Sequence, residues 1–338
     1  MTLPAASRLP FAGDMTICRI LNGMWQVSGA HGAIDPARAI SAMFAYHDAG
    51  FTTWDLADHY GPAEDFIGEF RRRLAAERGE DRRGDIQTFT KWVPSPGPMT
   101  RPVVEAAIDV SRRRMGVDRL DLLQFHWWDY ADRRYLDALR HLADLCDASK
   151  IRHLALTNFD AERLQIIADA GIRIVSNQVQ YSVVDRRPGE RMEPWCAAHD
   201  VVLLTYGTLL GGLLSEKYLG RPEPARGELG TASLRKYKQM IDAWGGWALF
   251  QELLATLKAI ADRRGASIAN VGTRWVLDRP AVAGVIVGAR LGLADHIADN
   301  ARAFDIALDD TDQAALAPLL AKSRDLMRLI GDCGDEYR

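Results

Sequence analysis

Eight short apolar runs of β character recur along the 338 residues, separated by segments of helical period except after the seventh. A chain that alternates strands with helices lays its strands parallel, because each helix carries the chain back across the sheet. The runs lie near 18–21, 51–54, 86–90, 120–125, 153–156, 174–179, 201–205 and 283–287. Eight repeats close on themselves more readily than they form an open sheet. The predicted fold is therefore α/β, a (β/α)8 TIM barrel, with a single domain over residues 1–338 and a barrel core of about 15–322.

The helices are punctuated locally. Asp35-Pro36 and Thr100-Arg101-Pro102 each place a capping residue beside a proline suited to a first helical turn. Gly50 and Gly171 follow helical segments as stops before the next strand. The repeat is disturbed over 221–246, where Pro222, Pro224, Gly227, Gly230, Gly245 and Gly246 precede a helix near 247–264. That stretch reads as a long loop at the strand-end rim, either a lid or specificity element or a surface insertion.

Charge and cysteine usage narrow the function classes. A formal net charge of -3 offers no broad attraction to nucleic acid or an anionic membrane. The basic stretch over 71–83 is interrupted by Glu77, Glu80 and Asp81, as on a solvated helix face. Cys18, Cys146, Cys196 and Cys333 show neither close pairing nor metal-ligand spacing, which suits a reducing compartment. With no sustained apolar N-terminal region and no apolar run of about 18 residues, a cytoplasmic protein without a membrane span is expected. No metal is predicted, and a monomer or small homo-oligomer suits the fold.

Against this frame, four proton-handling residues stand at or just past strand ends. Asp55 ends Phe-Thr-Thr-Trp-Asp, Tyr60 follows five positions later, Lys91 ends Gln-Thr-Phe-Thr-Lys, and His126 ends Leu-Leu-Gln-Phe-His. Each alone has an ordinary explanation: a helix cap, a loop aromatic, a solvated strand end, a core histidine. Strand ends of a barrel meet at one rim, however, so together they predict one pocket. A neighbouring ammonium stabilises a phenolate, so Lys91 is expected to lower the Tyr60 pKa from about 10, with Asp55 keeping the lysine charged and oriented. A phenol so placed, beside His126, would protonate an oxygen that gains alkoxide character. The chemistry is carbonyl reduction, and these residues contain no hydride source.

In order, Asp55-x-Ala57-x-x-Tyr60-Gly61, Thr90-Lys91 and the strand-terminal His126 resemble the aldo-keto reductase superfamily, over about residues 23–320. The resemblance implies that Asp55, Tyr60, Lys91 and His126 form a catalytic tetrad. It also implies a barrel that binds NADP(H) without a Rossmann domain, NAD(H) being possible. By the same resemblance Thr157, in Thr157-Asn158-Phe159, would bind the cofactor, and Asn158 and Gln178 would meet the nicotinamide carboxamide. Tyr206 would stack on its ring, with Gly207 and Leu209 along the pyrophosphate. Gly288 and Arg290 would form the last phosphate loop, Arg290 on the 2′-phosphate. His296, Asp299 and Asn300 would line the adenine end.

Trp25, Trp92 and Trp127 are expected as substrate-binding walls, suiting an apolar or aromatic carbonyl or a sugar stacked on a ring. His59 falls outside the tetrad, and the tail from Gly331 to Arg338 would either fray or close over the pocket. The predicted function is NADPH-dependent reduction of an aldehyde or ketone. Two alternatives are an NAD(P)-dependent aldose or alcohol dehydrogenase and an NADP(H)-sensing regulatory subunit with little turnover. The partner is a small carbonyl or alcohol molecule.

Overall fold

The computed structural model describes residues 3–29 and 34–337. The chain opens with an antiparallel hairpin, β1 (Arg8–Phe11) and β2 (Met15–Cys18). Eight parallel strands follow: β3 (Ile20–Gly23), β4 (Thr53–Asp55), β5 (Gln87–Trp92), β6 (Leu120–Phe125), β7 (Ile151–Thr157), β8 (Ser176–Gln180), β9 (Val202–Tyr206) and β10 (Val282–Gly288). They close a barrel in the order β10-β3-β4-β5-β6-β7-β8-β9. Closure leaves no sheet edge unpaired.

The expected first strand at 18–21 is divided between the hairpin and the first barrel strand. The apolar run breaks at Arg19, so that Cys18 ends β2 and Ile20 begins β3. Its turn passes through Ala12 and Gly13, both at positive φ. Phe11, Met15 and Ile17 join Leu21, Phe89, Leu122, Ala155, Leu204 and Ala283 in one apolar cluster. The strand residues of this cluster line the barrel interior, so the hairpin plugs one end of it. Burial of each large side chain contributes on the order of 1.5–3 kcal/mol.

Helices α1 (Pro36–Asp48), α2 (Ala63–Arg78), α3 (Arg101–Met115), α4 (Tyr135–Asp147), α5 (Ala161–Asp169) and α6 (Met192–His199) surround the barrel, and further helices follow β9. Asp35 caps α1 by accepting from the Arg38 amide, with Pro36 in the first turn. Thr100 occupies the cap position of α3 without a side-chain hydrogen bond. Gly50 and Gly171 lie just past α1 and α5 at φ 98° and 74°, where a residue with a Cβ would be strained.

The stretch 221–246 is not the loop that its prolines and glycines suggest. It contains α7 (Ala232–Trp244), capped by Thr231, whose hydroxyl accepts from the Leu234 amide. Tyr237, Met240, Ile241 and Trp244 recur at helical spacing and are buried. Then come α8 (Gly246–Arg264), α9 (Ile268–Leu277), α10 (Ile297–Arg302), α11 (Asp310–Lys322) and α12 (Leu326–Ile330).

Past α12 the tail is fastened to the loop after β8. Buried Arg187 makes a two-pronged contact with buried Asp185 (2.8 Å from Nε to Oδ1, 2.8 Å from Nη2 to Oδ2). The same guanidinium donates to the Glu336 carboxylate at 3.0 Å and to the Gly331 and Asp332 carbonyls at 3.2 and 3.0 Å. The tail therefore closes over the rim through Tyr337, whereas Arg338 lies outside the described residues. Arg187→Ala would leave Asp185 buried without its cation, and about 3–5 kcal/mol of stability should be lost in denaturant unfolding. A midpoint unchanged from wild type would show that the pair is not a structural anchor.

Candidate active site

Alternation along a strand sends every second side chain inward. Asp55 on β4 pairs with Phe89 on β5, and Lys91 lies two residues further along β5, on the same face. Lys91 pairs across with Gln124 of β6, and Thr157 of β7 with Gln178 of β8. A polar layer thus rests directly on the apolar interior.

The layer is closely bonded. The Lys91 ammonium donates to Asp55 Oδ2 at 2.6 Å and to the Leu56 carbonyl at 2.9 Å. Asp55 Oδ1 accepts from Gln124 at 3.0 Å and from Gln178 at 2.7 Å, and Gln178 also donates to Gln124 Oε1 at 2.6 Å. Both charged groups are only 3% exposed, so neither could be kept ionised without this shell.

Tyr60 sits on the β4–α2 loop, above the pair. The loop is tied down by the Asp58 amide donating to the Lys91 carbonyl (3.0 Å) and by the Val93 amide donating to the Asp58 carboxylate (3.1 Å). The Lys91 ammonium is 5.0 Å from the centre of the Tyr60 ring. His126, one residue past β6, bonds through Nδ1 to the Thr157 carbonyl at 3.1 Å, and its backbone amide donates to the Trp92 carbonyl. The three strand-end residues and the loop tyrosine therefore gather on adjacent elements, as expected.

One expectation is overturned. Burial, then the Asp55 and Asp58 carboxylates, push the Tyr60 phenol well above the usual tyrosine range. Burial pushes the Lys91 ammonium below its usual value, opposed by Asp55. The lysine charge is matched by Asp55, so the field at the phenol is not the net positive one that an isolated ammonium would produce. The phenol is held in its protonated form.

The expected substrate walls also divide. Trp25 packs edge-on against Tyr60, with ring centres 5.0 Å apart. Trp92 and Trp127 are instead buried in the outer core, where both approach Phe125 at 5.5 and 6.0 Å between ring centres. Trp127 is one residue from His126 and Trp92 one residue from Lys91. Trp128 is 44% exposed and lies edge-on to His126 at 4.4 Å. It is the indole that the phase of β6 delivers to the rim.

The residues expected to hold a dinucleotide fall at the ends of β7, β8, β9 and β10, successive in barrel order. Asn158 takes a positive φ of 60°, a conformation that asparagine tolerates, and its Oδ1 accepts from the Tyr206 hydroxyl at 2.7 Å. The Thr157 hydroxyl donates to the Gln178 carbonyl at 3.3 Å and so is used within the sheet. Gly207 has φ 72°, and a Cβ there would come within 2.5 Å of the Tyr237 hydroxyl. A Cβ on Gly288 would come within 2.2 Å of Gln26, whose buried Oε1 has no hydrogen-bond partner. Arg290 is exposed at the end of β10, with no carboxylate within ion-pair distance among the described residues. His296, at the cap position of α10 (Ile297–Arg302), and Asp299 within it are exposed, Asn300 is buried, and Asp299 accepts from the Ser267 hydroxyl. An aromatic platform, amides on both sides, close-approach glycines, an orphan acceptor and an unpaired guanidinium together fit a nicotinamide dinucleotide.

The sequence left closure of the tail open and did not single out Tyr337. Asn158 Oδ1 can only accept, so Tyr206 donates to it and Tyr337 supplies the proton of the 3.1 Å contact between the two hydroxyls. Lys236 of α7 donates to the Tyr337 hydroxyl, its ammonium 4.0 Å from that ring centre and 5.3 Å from that of Tyr206. Gln124 was also missed, although its place two residues before His126 puts it on the same face. Among the described residues no group of three metal-ligating side chains forms, and no helix is long and apolar enough to cross a membrane.

A closed parallel barrel with a lysine–carboxylate pair beneath a rim phenol defines a class of enzymes that reduce carbonyls or oxidise alcohols. Residues 19–321 match the Aldo/keto reductase family, and the chain belongs to it. It is thus a nicotinamide-dependent oxidoreductase acting on carbonyl or alcohol groups. Flagellar radial spoke protein 5 of Chlamydomonas reinhardtii is 32% identical over 260 residues, 66% of this chain but 49% of that protein, so the match spans about half of its length. L-glyceraldehyde 3-phosphate reductase of Escherichia coli O157:H7 is 26% identical over 87% of this chain and 86% of its own. The solved structure of a glycerol dehydrogenase from Gluconobacter oxydans superimposes with a TM-score of 0.77 at 22% identity, covering 97% of this chain and 98% of that one.

In a difference titration against Tyr60→Phe, the Tyr60 phenolate should appear only above the ordinary tyrosine value of about 10. The unfolded chain ionises first, so stability should fall as pH rises through that value, and fall less in the variant. Ionisation below that value would restore the sequence-based expectation.

Proposed function

We propose that the chain reduces an aldehyde or ketone to an alcohol with NADPH, Tyr60 supplying the proton. The observation that carries this reading is the buried Lys91–Asp55 pair at 2.6 Å directly beneath the Tyr60 ring. A structural barrel has no physical need to desolvate an ion pair at the mouth. When bound, the nicotinamide supplies hydride to the carbonyl carbon.

The chain's own residues do the rest. As negative charge grows on the carbonyl oxygen, the Tyr60 phenol donates its proton to that oxygen, and the Lys91 ammonium stabilises the phenolate left behind. Asp55 fixes the ammonium in place. His126, its Nδ1 engaged by the Thr157 carbonyl, would orient the oxygen through Nε2. Trp25 and Trp128 form apolar walls that suit an aromatic or extended carbonyl substrate, or a sugar laid on a ring face. Asn158 and Gln178 serve the carboxamide, Tyr206 the nicotinamide face, and Arg290 the 2′-phosphate. The same relay run backwards oxidises an alcohol.

Consumption of NADPH across aromatic aldehydes, short ketones and aldoses tests the reading. Tyr60→Phe should lower turnover by about 10²–10⁴-fold while NADPH binding persists. Unchanged turnover in the variant refutes the proton-donor role, and tight NADPH binding without turnover on any substrate favours a cofactor-sensing role. In titrations, Arg290→Ala should weaken NADPH by roughly 10–100-fold and leave NADH almost unaffected. Equal weakening of both would remove the 2′-phosphate assignment.

A further inference from the structure

A second cavity, of about 640 Å³, lies away from the polar layer at the mouth, between the loop after β8, α9, α11 and the segment leading into α12. Four arginines line it: Arg186, Arg187, Arg279 and Arg324. Arg187 is neutralised by Asp185 and Glu336. The other three have no carboxylate within ion-pair distance among the described residues, an uncommon condition for arginines sharing one pocket. Arg186 donates to the Leu320 carbonyl at 3.1 Å and the Ser323 hydroxyl at 3.3 Å, which leaves most of its guanidinium donors unused. Arg279 donates once, to the Trp275 carbonyl, and lies 4.3 Å from the centre of the Trp275 ring. Arg324 donates to the Asp242 carbonyl.

The same walls hold two buried indoles. Trp244 and Trp275 are 1% and 3% exposed, and neither indole N–H meets an acceptor in the protein. An indole N–H can only donate, and burying one unpaired costs on the order of 1–3 kcal/mol. The carboxylates of the cavity do not answer them. Glu193 accepts from the Tyr181 hydroxyl at 3.1 Å, Asp325 accepts from the Arg328 amide at 3.1 Å, and Glu190 is exposed. Tyr181, Trp275 and Leu326 offer apolar surface.

We propose that this cavity is a second binding site, separate from the barrel mouth, for a small organic phosphate. Arg186, Arg279 and Arg324 would hold the phosphate. The organic body lies on the aromatic walls. A phosphate monoester matches the guanidinium fork and accepts several bonds at once, and the cavity volume leaves room for more than the inorganic ion.

Calorimetry with phenyl phosphate on the intact chain tests the site, with inorganic phosphate as the comparison. One site is expected, with phenyl phosphate bound at least about tenfold more tightly than phosphate because of the apolar walls. The double substitution Arg186→Gln/Arg279→Gln should weaken phenyl phosphate by at least about tenfold, while Arg290→Ala leaves it unchanged. Arg279→Lys keeps the charge but loses the fork, and should show an intermediate loss if the double variant folds poorly. Absence of binding, equal binding by the double variant, or loss in Arg290→Ala alone would overturn the proposal.

Discussion

The arrangement of the mouth depends on one buried ion pair. Lys91 and Asp55 have left water, at a cost of several kcal/mol per ion, and their mutual attraction offsets this only with the help of further hydrogen bonds to both groups. Gln124 and Gln178 donate to Asp55, and the Leu56 carbonyl accepts from Lys91. These partners come from β6, β8 and the end of β4, so the pair requires the closed barrel. The barrel interior supplies the converse support, since the apolar cluster below excludes water from the layer.

The same pair accounts for the protonation state of the phenol. A lysine bonded to a carboxylate presents a dipole to Tyr60 instead of a bare charge, and Asp58 adds a second negative group nearby. Tyr60 is therefore kept neutral, the form that can give a proton away. Lysine support of the phenolate becomes important only as charge moves during reaction, which places the stabilisation in the transition state.

Barrel order divides the rim in two. Trp25, Asp55, Lys91 and His126 follow or end β3 to β6, while Asn158, Gln178, Tyr206 and Gly288 follow or end β7 to β10. Onto the second half comes the C-terminal tail, held by Arg187 and touching Tyr206 through Tyr337. The tail and α7 meet there, since Lys236 binds the same hydroxyl. The segment with the most prolines and glycines thus contributes a rigid helix to the site, because its apolar residues at helical spacing outweigh the breakers at its ends.

The sequence by itself determined the barrel, through eight apolar runs in phase with helical segments, and it determined the tetrad candidates, because a strand end is a place that topology assigns to one rim. Gln124 and the unequal fates of Trp127 and Trp128 were legible in the two-residue period, once the inward face of β6 is set by His126. Only the tertiary structure decided the rest. Whether Arg19 interrupts a strand or joins two depends on the hairpin that fills the barrel floor. The direction of the Tyr60 pKa depends on how much of the Lys91 charge Asp55 has already compensated, a sum over through-space distances that no spacing encodes. The contacts of Arg187 with Glu336 and of Tyr206 with Tyr337 join residues more than a hundred positions apart, and side chains so distant are brought together by the folding of everything between them.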